Sequence, residues 1–275
     1  MIRTAGTAYW ILFAASFLAI AVWESFRPVL VLSESAQRRW TRHSLLFIVA
    51  AIITTVIIPL NPVLLAASLE GSHYGLLSRP WLPLGVRWVL AVLIIDLVKY
   101  ASHRALHSVR FLWRVHEIHH SDRDLDVSTA VRAHPVEVLF FQATNVLTIA
   151  ALAPPPLAVL VAQLLSVFES FFSHANSLLP ERWQAVLGWI IYSSNTHRVH
   201  HTVDMHLQNT NFGDIFPWWD MLFGTYSAPL GAGRTIAFGV AEDQSGPHPG
   251  AVLLLKRPFV PGPRNAVMAQ QTGSN

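Results

Sequence analysis

Nine of the fourteen histidines in this 275-residue chain lie in four short arrays that could bind metal ions. They comprise an H-x-x-x-H pair (His103 and His107), two H-x-x-H-H triplets (His116, His119, His120 and His197, His200, His201) and the single His174 between the triplets. Imidazole is the commonest metal ligand in proteins near neutral pH and suits iron, zinc, copper and nickel. Helix residues three, four or seven positions apart share a face, so we expect each array to direct its imidazoles at one point.

Nine nitrogen donors exceed the four ligands of a tetrahedral zinc site, so the count predicts two metals. A lone H-x-x-x-H is usually a pair of solvated histidines, but two triplets beside it favour metal binding. His174 ends a predicted membrane span; this favours ligation over an interfacial hydrogen bond.

The other five histidines are not predicted to be metal ligands. His134 lies in the segment Arg-Ala-His-Pro-Val-Glu. It could be a ligand, a hydrogen-bonding partner of a ligand or a helix cap, and we favour the partner role. Glu137 would suit the first turn of the helix that follows. For His206 a surface position is favoured over a role near substrate. We assign no role to the loop residues His43, His73 and His248.

Composition indicates a membrane protein. The chain is 52% hydrophobic and 13% charged, with a mean hydropathy of +0.41, whereas soluble domains carry about a quarter charged residues. Its ten tryptophans and fifteen phenylalanines suit bilayer interfaces. The net charge of +3 comes with scattered arginines, so we expect no nucleic-acid partner. With no cysteine, disulfides and thiolate metal sites are excluded.

The predicted fold is all-α, with four to five transmembrane helices. A span needs about 20 apolar residues. The first span is taken as retained, not as a cleaved signal peptide, and Pro59 and Pro62 are expected to kink or split the second. Pro154, Pro155 and Pro156 divide the last apolar stretch into a hairpin. The five spans lie near 8–23, 44–67, 86–102, 136–153 and 157–173.

Basic residues predict the orientation. They are dense in 24–43 and 99–134, whereas 68–85 carries only Arg79. The positive-inside rule then places all four histidine arrays on the cytoplasmic side. We predict one membrane domain over 1–226, then a C-terminal extension over 227–275 whose end, 260–275, is a disordered tail.

Asp96, Tyr100, His103 and His107 form one stripe of the third helix. A carboxylate one or two turns from a ligating histidine commonly fixes the tautomer of the ring. We therefore expect Asp96 to be such a partner, with an ion pair to Lys99 as the alternative.

Taken in order, these motifs resemble the fatty acid hydroxylase/sterol desaturase superfamily of integral-membrane di-iron oxygenases. The matching residues span about 96–226 and run Asp96-x-x-x-Tyr100-x-x-His103-Arg104-x-x-His107, Leu112-Trp113-x-x-His116-x-x-His119-His120-Ser121, Arg132-x-His134-Pro135-x-Glu137, Phe172-x-His174-x-Asn176, His197-Arg198-Val199-His200-His201, Asn211-Phe212-Gly213 and Trp219-Asp220-x-Leu222-Phe223-Gly224-Thr225.

The resemblance implies membrane helices capped by a cytoplasmic helical domain that holds two iron ions as cofactors, with the nine array histidines as ligands. It implies supporting roles around them for Asp96, Tyr100, His134, Glu137, Asn176, Asn211 and Asp220. The chain departs from the family at Asn209, where an Asp is frequent, and before the last triplet, where Ser194, Asn195 and Thr196 replace a frequent Pro. The interval around His174 and the last triplet most resembles ether-lipid-cleaving and small bacterial members.

The resemblance further implies hydroxylation or desaturation of a sterol, fatty acyl, ether-lipid or carotenoid-type lipid by dioxygen and external electrons. No haem or flavin motif is present in the sequence, so a separate electron-donor protein is expected. We expect a bacterial inner-membrane location. The alternative is a multi-histidine metal-binding protein or metal-ion transporter, which would carry histidines and carboxylates near mid-bilayer on several spans.

Overall fold

The structure is a computed structural model that describes residues 2–230 and 236–260. Within these ranges it is all-helical, and an isolated bridge between Thr202 and Phe238 is its one extended pairing. Apart from Val260, the predicted disordered tail lies outside the described residues. The α-helices are α1 (Ile2–Phe26), α2 (Ala36–Ile57), α3 (Pro62–Leu69), α4 (Leu84–Ser108), α5 (Arg110–His120), α6 (Pro135–Leu152), α7 (Pro156–His174), α8 (Glu181–Leu187), α9 (Ser194–His200), α10 (Met205–Gln208), α11 (Trp218–Phe223) and α12 (Ala251–Lys256).

Among the described residues, four helical segments are long and apolar enough to cross a membrane, so the chain is a multi-pass integral membrane protein. They are Gly6–Phe26, Ala36–Leu69, Pro135–Leu152 and Pro156–His174. The predicted span at 86–102 lies inside α4 but is not among them. Arg87, Asp96 and Lys99 interrupt its apolar character.

The second span is split where its prolines predict. Helix α2 ends at Ile57 and α3 begins at Pro62, because proline cannot donate the hydrogen bond that would continue a helix. The Asn61 side chain caps α3 by accepting from the backbone N–H groups of Val63 and Leu64. Gln142 of α6 donates to the carbonyl of Leu60 at 2.8 Å. These bonds satisfy polar backbone that would otherwise be costly at membrane depth.

Helices α6 and α7 form the predicted hairpin. Ala153 ends α6 in a left-handed conformation, with φ of 46°, and Pro155 and Pro156 start α7. Helix α4 packs against both helices, α2 against α6 and α1 against α7. A buried apolar cluster joins α3, α4, α6 and α7 through Val63, Ala66, Ile95, Ile149, Val159 and Ala162.

Short helices gather at the end of the bundle where α4 and α7 carry their candidate ligand histidines. The buried Arg39 of α2 binds Asp122 at 2.8 Å and Asp126 at 3.0 Å, fixing the loop after the first triplet. Residues 236–260, within the predicted C-terminal extension, fold back on this end. There Arg257 pairs with Glu117 of α5, and α12 packs on α2.

Candidate metal centre

The nine array histidines form two adjacent clusters of buried imidazoles. Within each cluster one ring nitrogen from every member lies within 4.8 Å of the others. His120 of one cluster stacks on His201 of the other, with ring centroids 4.6 Å apart. Cluster one contains His103, His107, His116, His120 and His200; cluster two contains His119, His174, His197 and His201.

Each triplet serves both clusters, which corrects the expectation that an array converges on one point. His116 and His120, four residues apart on α5, join cluster one, while His119 joins cluster two. The second triplet divides in the opposite sense, because His200 joins cluster one while its two companions join cluster two. Consecutive helix residues point about 100° apart, so the adjacent histidines of a triplet diverge.

In cluster one, backbone carbonyls fix the tautomers of two imidazoles. The Nδ1 of His103 lies 2.9 Å from the Phe212 carbonyl oxygen, and that of His200 lies 2.7 Å from the Thr210 carbonyl oxygen. A carbonyl only accepts, so we assign the proton to Nδ1 in both rings. Both Nε2 atoms then present lone pairs, yet they are 3.0 Å apart.

Cluster two repeats this arrangement. Nδ1 of His119 donates to the Arg132 carbonyl at 3.2 Å, and Nδ1 of His174 donates to the Ser170 carbonyl at 2.6 Å. Their Nε2 atoms are 3.1 Å apart. In each cluster, therefore, two lone pairs face each other without a proton between them.

The donor set fits a metal ion in each cluster. Burial, and after it the neighbouring imidazoles, lower the pKa of His119 and of His200 well below its usual range. A proton between the paired nitrogens is thus disfavoured, whereas a bound cation would satisfy both. Nε2 of His107 is also buried, with no hydrogen-bond partner among the described residues.

Two side chains orient imidazoles of cluster one by contacting the Nδ1 atom of the ring. Nδ1 of His116 donates to Glu137 Oε1 at 2.8 Å, which places Glu137 beside the centre as the resemblance implies. Nδ1 of His107 lies 3.3 Å from Oδ1 of Asn209. The residue singled out as a departure from the family pattern thus contacts a candidate ligand directly.

Asp96 does not take the position expected of it. Its carboxylate accepts from the backbone N–H groups of Ile215 and Phe216, at 2.7 and 3.4 Å, and from the Trp219 indole at 2.8 Å. Lys99, the alternative partner, instead pairs with Asp214 at 3.2 Å. Asp96 therefore fixes the loop after Phe212 and not a histidine ring.

Asp220 holds Phe212, whose carbonyl orients His103. It accepts from the N–H groups of Phe212 and Gly213 at 2.9 and 2.7 Å, from the Thr225 hydroxyl at 2.7 Å and from the Tyr192 hydroxyl. Burial raises its pKa despite these donors.

Asn211 fixes the residue before Phe212. It has a φ of 58°, and its side chain donates to the carbonyls of Thr196 and Ser227 and accepts from the Ser227 N–H. It therefore links Thr196, the residue before the second triplet, to the Phe212 loop.

The remaining predicted partners act at a distance from the imidazoles. The Tyr100 hydroxyl lies 2.9 Å from the Thr225 hydroxyl. Asn176 holds Leu30, accepting from its N–H at 2.9 Å and donating to its carbonyl at 3.0 Å. His134, favoured above as a partner of a ligand, is the N-cap of α6, accepting from the Val136 N–H, and its Nε2 contacts the Leu255 carbonyl.

Comparison with known proteins agrees with this geometry. The family model for fatty acid hydroxylase matches residues 88–225, half of the chain, and this range contains all nine clustered histidines. The chain belongs to the fatty acid hydroxylase family.

Relatives of known activity in this family act on lipids. The chain is 30% identical to the alkylglycerol monooxygenases of Caenorhabditis elegans and Homo sapiens, with alignments covering 57% of this chain and 30% and 34% of theirs. It is 30% identical to the ornithine lipid hydroxylase OlsE of Rhizobium tropici, over 54% of this chain and 44% of that protein. The alignments therefore cover 30% to 44% of these relatives' lengths. No solved structure matches it significantly.

A cavity of about 370 Å³ leads to both histidine clusters of this fatty acid hydroxylase family member. His103 and His116 of cluster one and His119, His174 and His197 of cluster two line it. Its far wall is apolar and comes from four helices, with Phe13, Phe47, Val138, Phe141, Val167 and Phe171.

The cavity also shows polar residues that motif analysis missed. Lys99, Ser166, Glu169 and Asp214 line the wall near the histidines, and the Lys99 ammonium contacts Ser166. Glu169, an acid inside an apolar span, was the available signal. The backbone carbonyls that orient the imidazoles left no signal, because every residue carries one.

Proposed function

We propose that this protein is a membrane-bound di-iron oxygenase that uses dioxygen and external electrons to oxidise a C–H position of a lipid. The single observation that carries the proposal is the pair of facing Nε2 lone pairs in each of two adjacent clusters that open onto one apolar cavity. Metal-binding nitrogens and a lipid-sized cavity at one place support chemistry on a lipid.

We propose one iron position in each histidine cluster. His103, His107, His116, His120 and His200 would hold one ion, and His119, His174, His197 and His201 the other. When bound, a pair of iron ions supplies the capacity to reduce dioxygen and attack an unactivated C–H bond.

The protein's own part is to orient rings and exclude water. The carbonyls of Phe212, Thr210, Arg132 and Ser170 hold four imidazoles in the tautomer that directs Nε2 inward, and Glu137 holds a fifth ring. Such outer contacts fix ring orientation and raise ligand basicity. Phe47, Phe141 and Phe171 would contact the hydrocarbon part of the substrate and keep water away from it.

The proposed substrate is a membrane lipid with a hydrocarbon chain, and hydroxylation is the proposed reaction. Desaturation and ether cleavage share the requirement for C–H oxidation, so lipid analysis has to distinguish them. Similarity to alkylglycerol monooxygenases and to an ornithine lipid hydroxylase supports a lipid of this kind.

We place the active centre on the cytoplasmic side, as the arginine distribution predicts. A centre at that surface would take electrons from a separate soluble or peripheral protein while the substrate chain stays in the bilayer.

The competing hypothesis is a metal-ion transporter or metal-binding protein. Transport sites lie near mid-bilayer between discontinuous helices. Here the candidate ligands on α4 and α7 lie in the last two turns of these helices. The others lie on α5, on α9 or directly after α9, outside the four apolar spans. This position favours the oxygenase.

The test combines metal analysis with comparative lipidomics. Cells producing the wild-type protein should contain a lipid class heavier by one oxygen, only when oxygen is supplied, and the purified protein should carry about two irons per chain. Loss of two hydrogens would identify a desaturase. His200→Ala should abolish product and reduce bound iron, whereas the exposed His206→Ala should change neither. Normal turnover by His200→Ala, or a zinc-only protein with no oxygen-dependent product, would refute the proposal.

A further inference from the structure

A second cavity of about 600 Å³ lies at the break between α2 and α3. Helices α1, α6 and α7 complete its walls. It shares Tyr9, Ala51 and Val138 with the cavity at the histidine clusters. These three side chains, here called the junction residues, lie where the two cavities meet.

Its lining suits a hydrocarbon chain. The side chains of Asn61 and Gln142 are hydrogen-bonded at the helix break. Asn61 accepts from the N-terminus of α3, and Gln142 donates to the Leu60 carbonyl. Thr54, Thr55 and Gln163 are the other polar side chains of the lining. The larger part is apolar: Trp10, Ile58, Pro59, Leu60, Pro62, Val63, Leu64 and Leu160.

The length of the combined space matches a lipid chain. Helix α7 carries lining residues from His174 at the metal centre to Leu160 in the second cavity. That separation is roughly 21 Å along the helix at 1.5 Å per residue. One leaflet of a bilayer contributes about half of a hydrocarbon core ~30 Å thick. The combined cavities are therefore deep enough for the whole hydrocarbon chain of a leaflet lipid.

We propose that the two cavities form one tunnel that binds the hydrocarbon chain of a bilayer lipid, with the chain terminus in the second cavity. The junction residues then control whether a chain long enough to leave the first cavity can pass into the second. Ala51 is the critical one, because its small side chain leaves the passage open. Oxidation at the other end of the chain rests on the proposed function. Binding of the chain in the tunnel does not depend on that function.

The test narrows the passage and measures chain binding without reference to activity. Purified protein in detergent is mixed with equal amounts of octanol, dodecanol and octadecanol, and the retained alcohols are counted by native mass spectrometry. Each buried methylene adds favourable transfer free energy, so wild-type protein should retain octadecanol at least about tenfold more than octanol. Ala51→Trp should reduce octadecanol retention about tenfold and leave octanol bound.

The matched control is Ile52→Trp, on the adjacent residue of α2. Ile52 is 59% exposed and lines neither cavity, so its variant should behave as wild type. If Ala51→Trp does not fold, Val138→Phe narrows the passage from α6, with the exposed Leu147→Phe as its control.

The outcomes separate this inference from the proposed function. Equal retention of the three alcohols by wild type, or no change in a folded junction variant, would overturn the tunnel. Normal chain-length discrimination in a protein that makes no oxidised lipid would support the tunnel and refute the oxygenase. If an oxidised lipid is found, Ala51→Trp should shift its chain lengths downward while Ile52→Trp does not.

Discussion

At the residue scale, the centre depends on which ring nitrogen carries a proton. Four imidazoles donate Nδ1–H to backbone carbonyls, and this leaves Nε2 as the inward atom in each. The spacing of the histidines predicted that they would gather. It could not predict these acceptors, since a carbonyl becomes a partner only through the path of the folded backbone.

Asn209 tests this dependence on outer contacts. It is the acceptor for Nδ1 of His107, at 3.3 Å. Asn209→Ala should lower iron affinity about tenfold, the lower end of what lost outer-shell contacts cost. Asn209→Asp should restore or exceed wild-type affinity, because a carboxylate is the stronger acceptor. Affinity is measured by chelator competition; His206→Ala should match wild type, and an unchanged Asn209→Ala would remove Asn209 from the centre.

At the element scale, the loop between α10 and α11 orients His103, a candidate ligand that lies on α4. Asp96 on α4 and Asp220 on α11 hold opposite ends of 212–219, and the Phe212 carbonyl at its start orients His103. The resemblance implied supporting roles for both acids, and the spacing along α4 predicted that Asp96 would contact a histidine ring. Spacing along α4 could not reveal that a loop over a hundred residues later would reach that carboxylate first.

Removing the Asp220 carboxylate should weaken both the fold and the metal centre. Asp220→Ala would leave the Phe212 and Gly213 N–H groups without their acceptor, at a cost of roughly 3 kcal/mol. We expect a lower Tm and reduced iron content. Glu242→Ala removes an exposed carboxylate and should change neither. A destabilised Asp220→Ala with full iron affinity would show that the loop does not orient His103.

At the scale of the whole molecule, the bundle brings all four arrays to one end. Helices α4 and α7 deliver His103, His107 and His174 from their final turns, while α5 and α9 lie across that end. Apolar runs and prolines were sufficient to predict four spans, the split second span and the α6–α7 hairpin. The segment at 86–102 lies in α4 but is not among the four apolar spans, because it carries Arg87, Asp96 and Lys99.

The absence of cysteine makes the orientation directly testable. Ser72 and Ser245 are both exposed, one in the loop after α3 and one beside the histidine end. In intact cells a membrane-impermeant maleimide should label Ser72→Cys, and should label Ser245→Cys only after the membrane is opened. The unsubstituted chain is the control for background. The reverse pattern would place the histidine clusters outside the cytoplasm.

The divided triplets have a consequence for assembly. Because α5 and α9 each contribute to both clusters, a helix turn that binds the first ion also sets the neighbouring imidazoles for the second. The entropy of ordering those turns is then lost once for two ions. Filling of the centre should therefore be cooperative, with singly occupied molecules scarce at any iron supply.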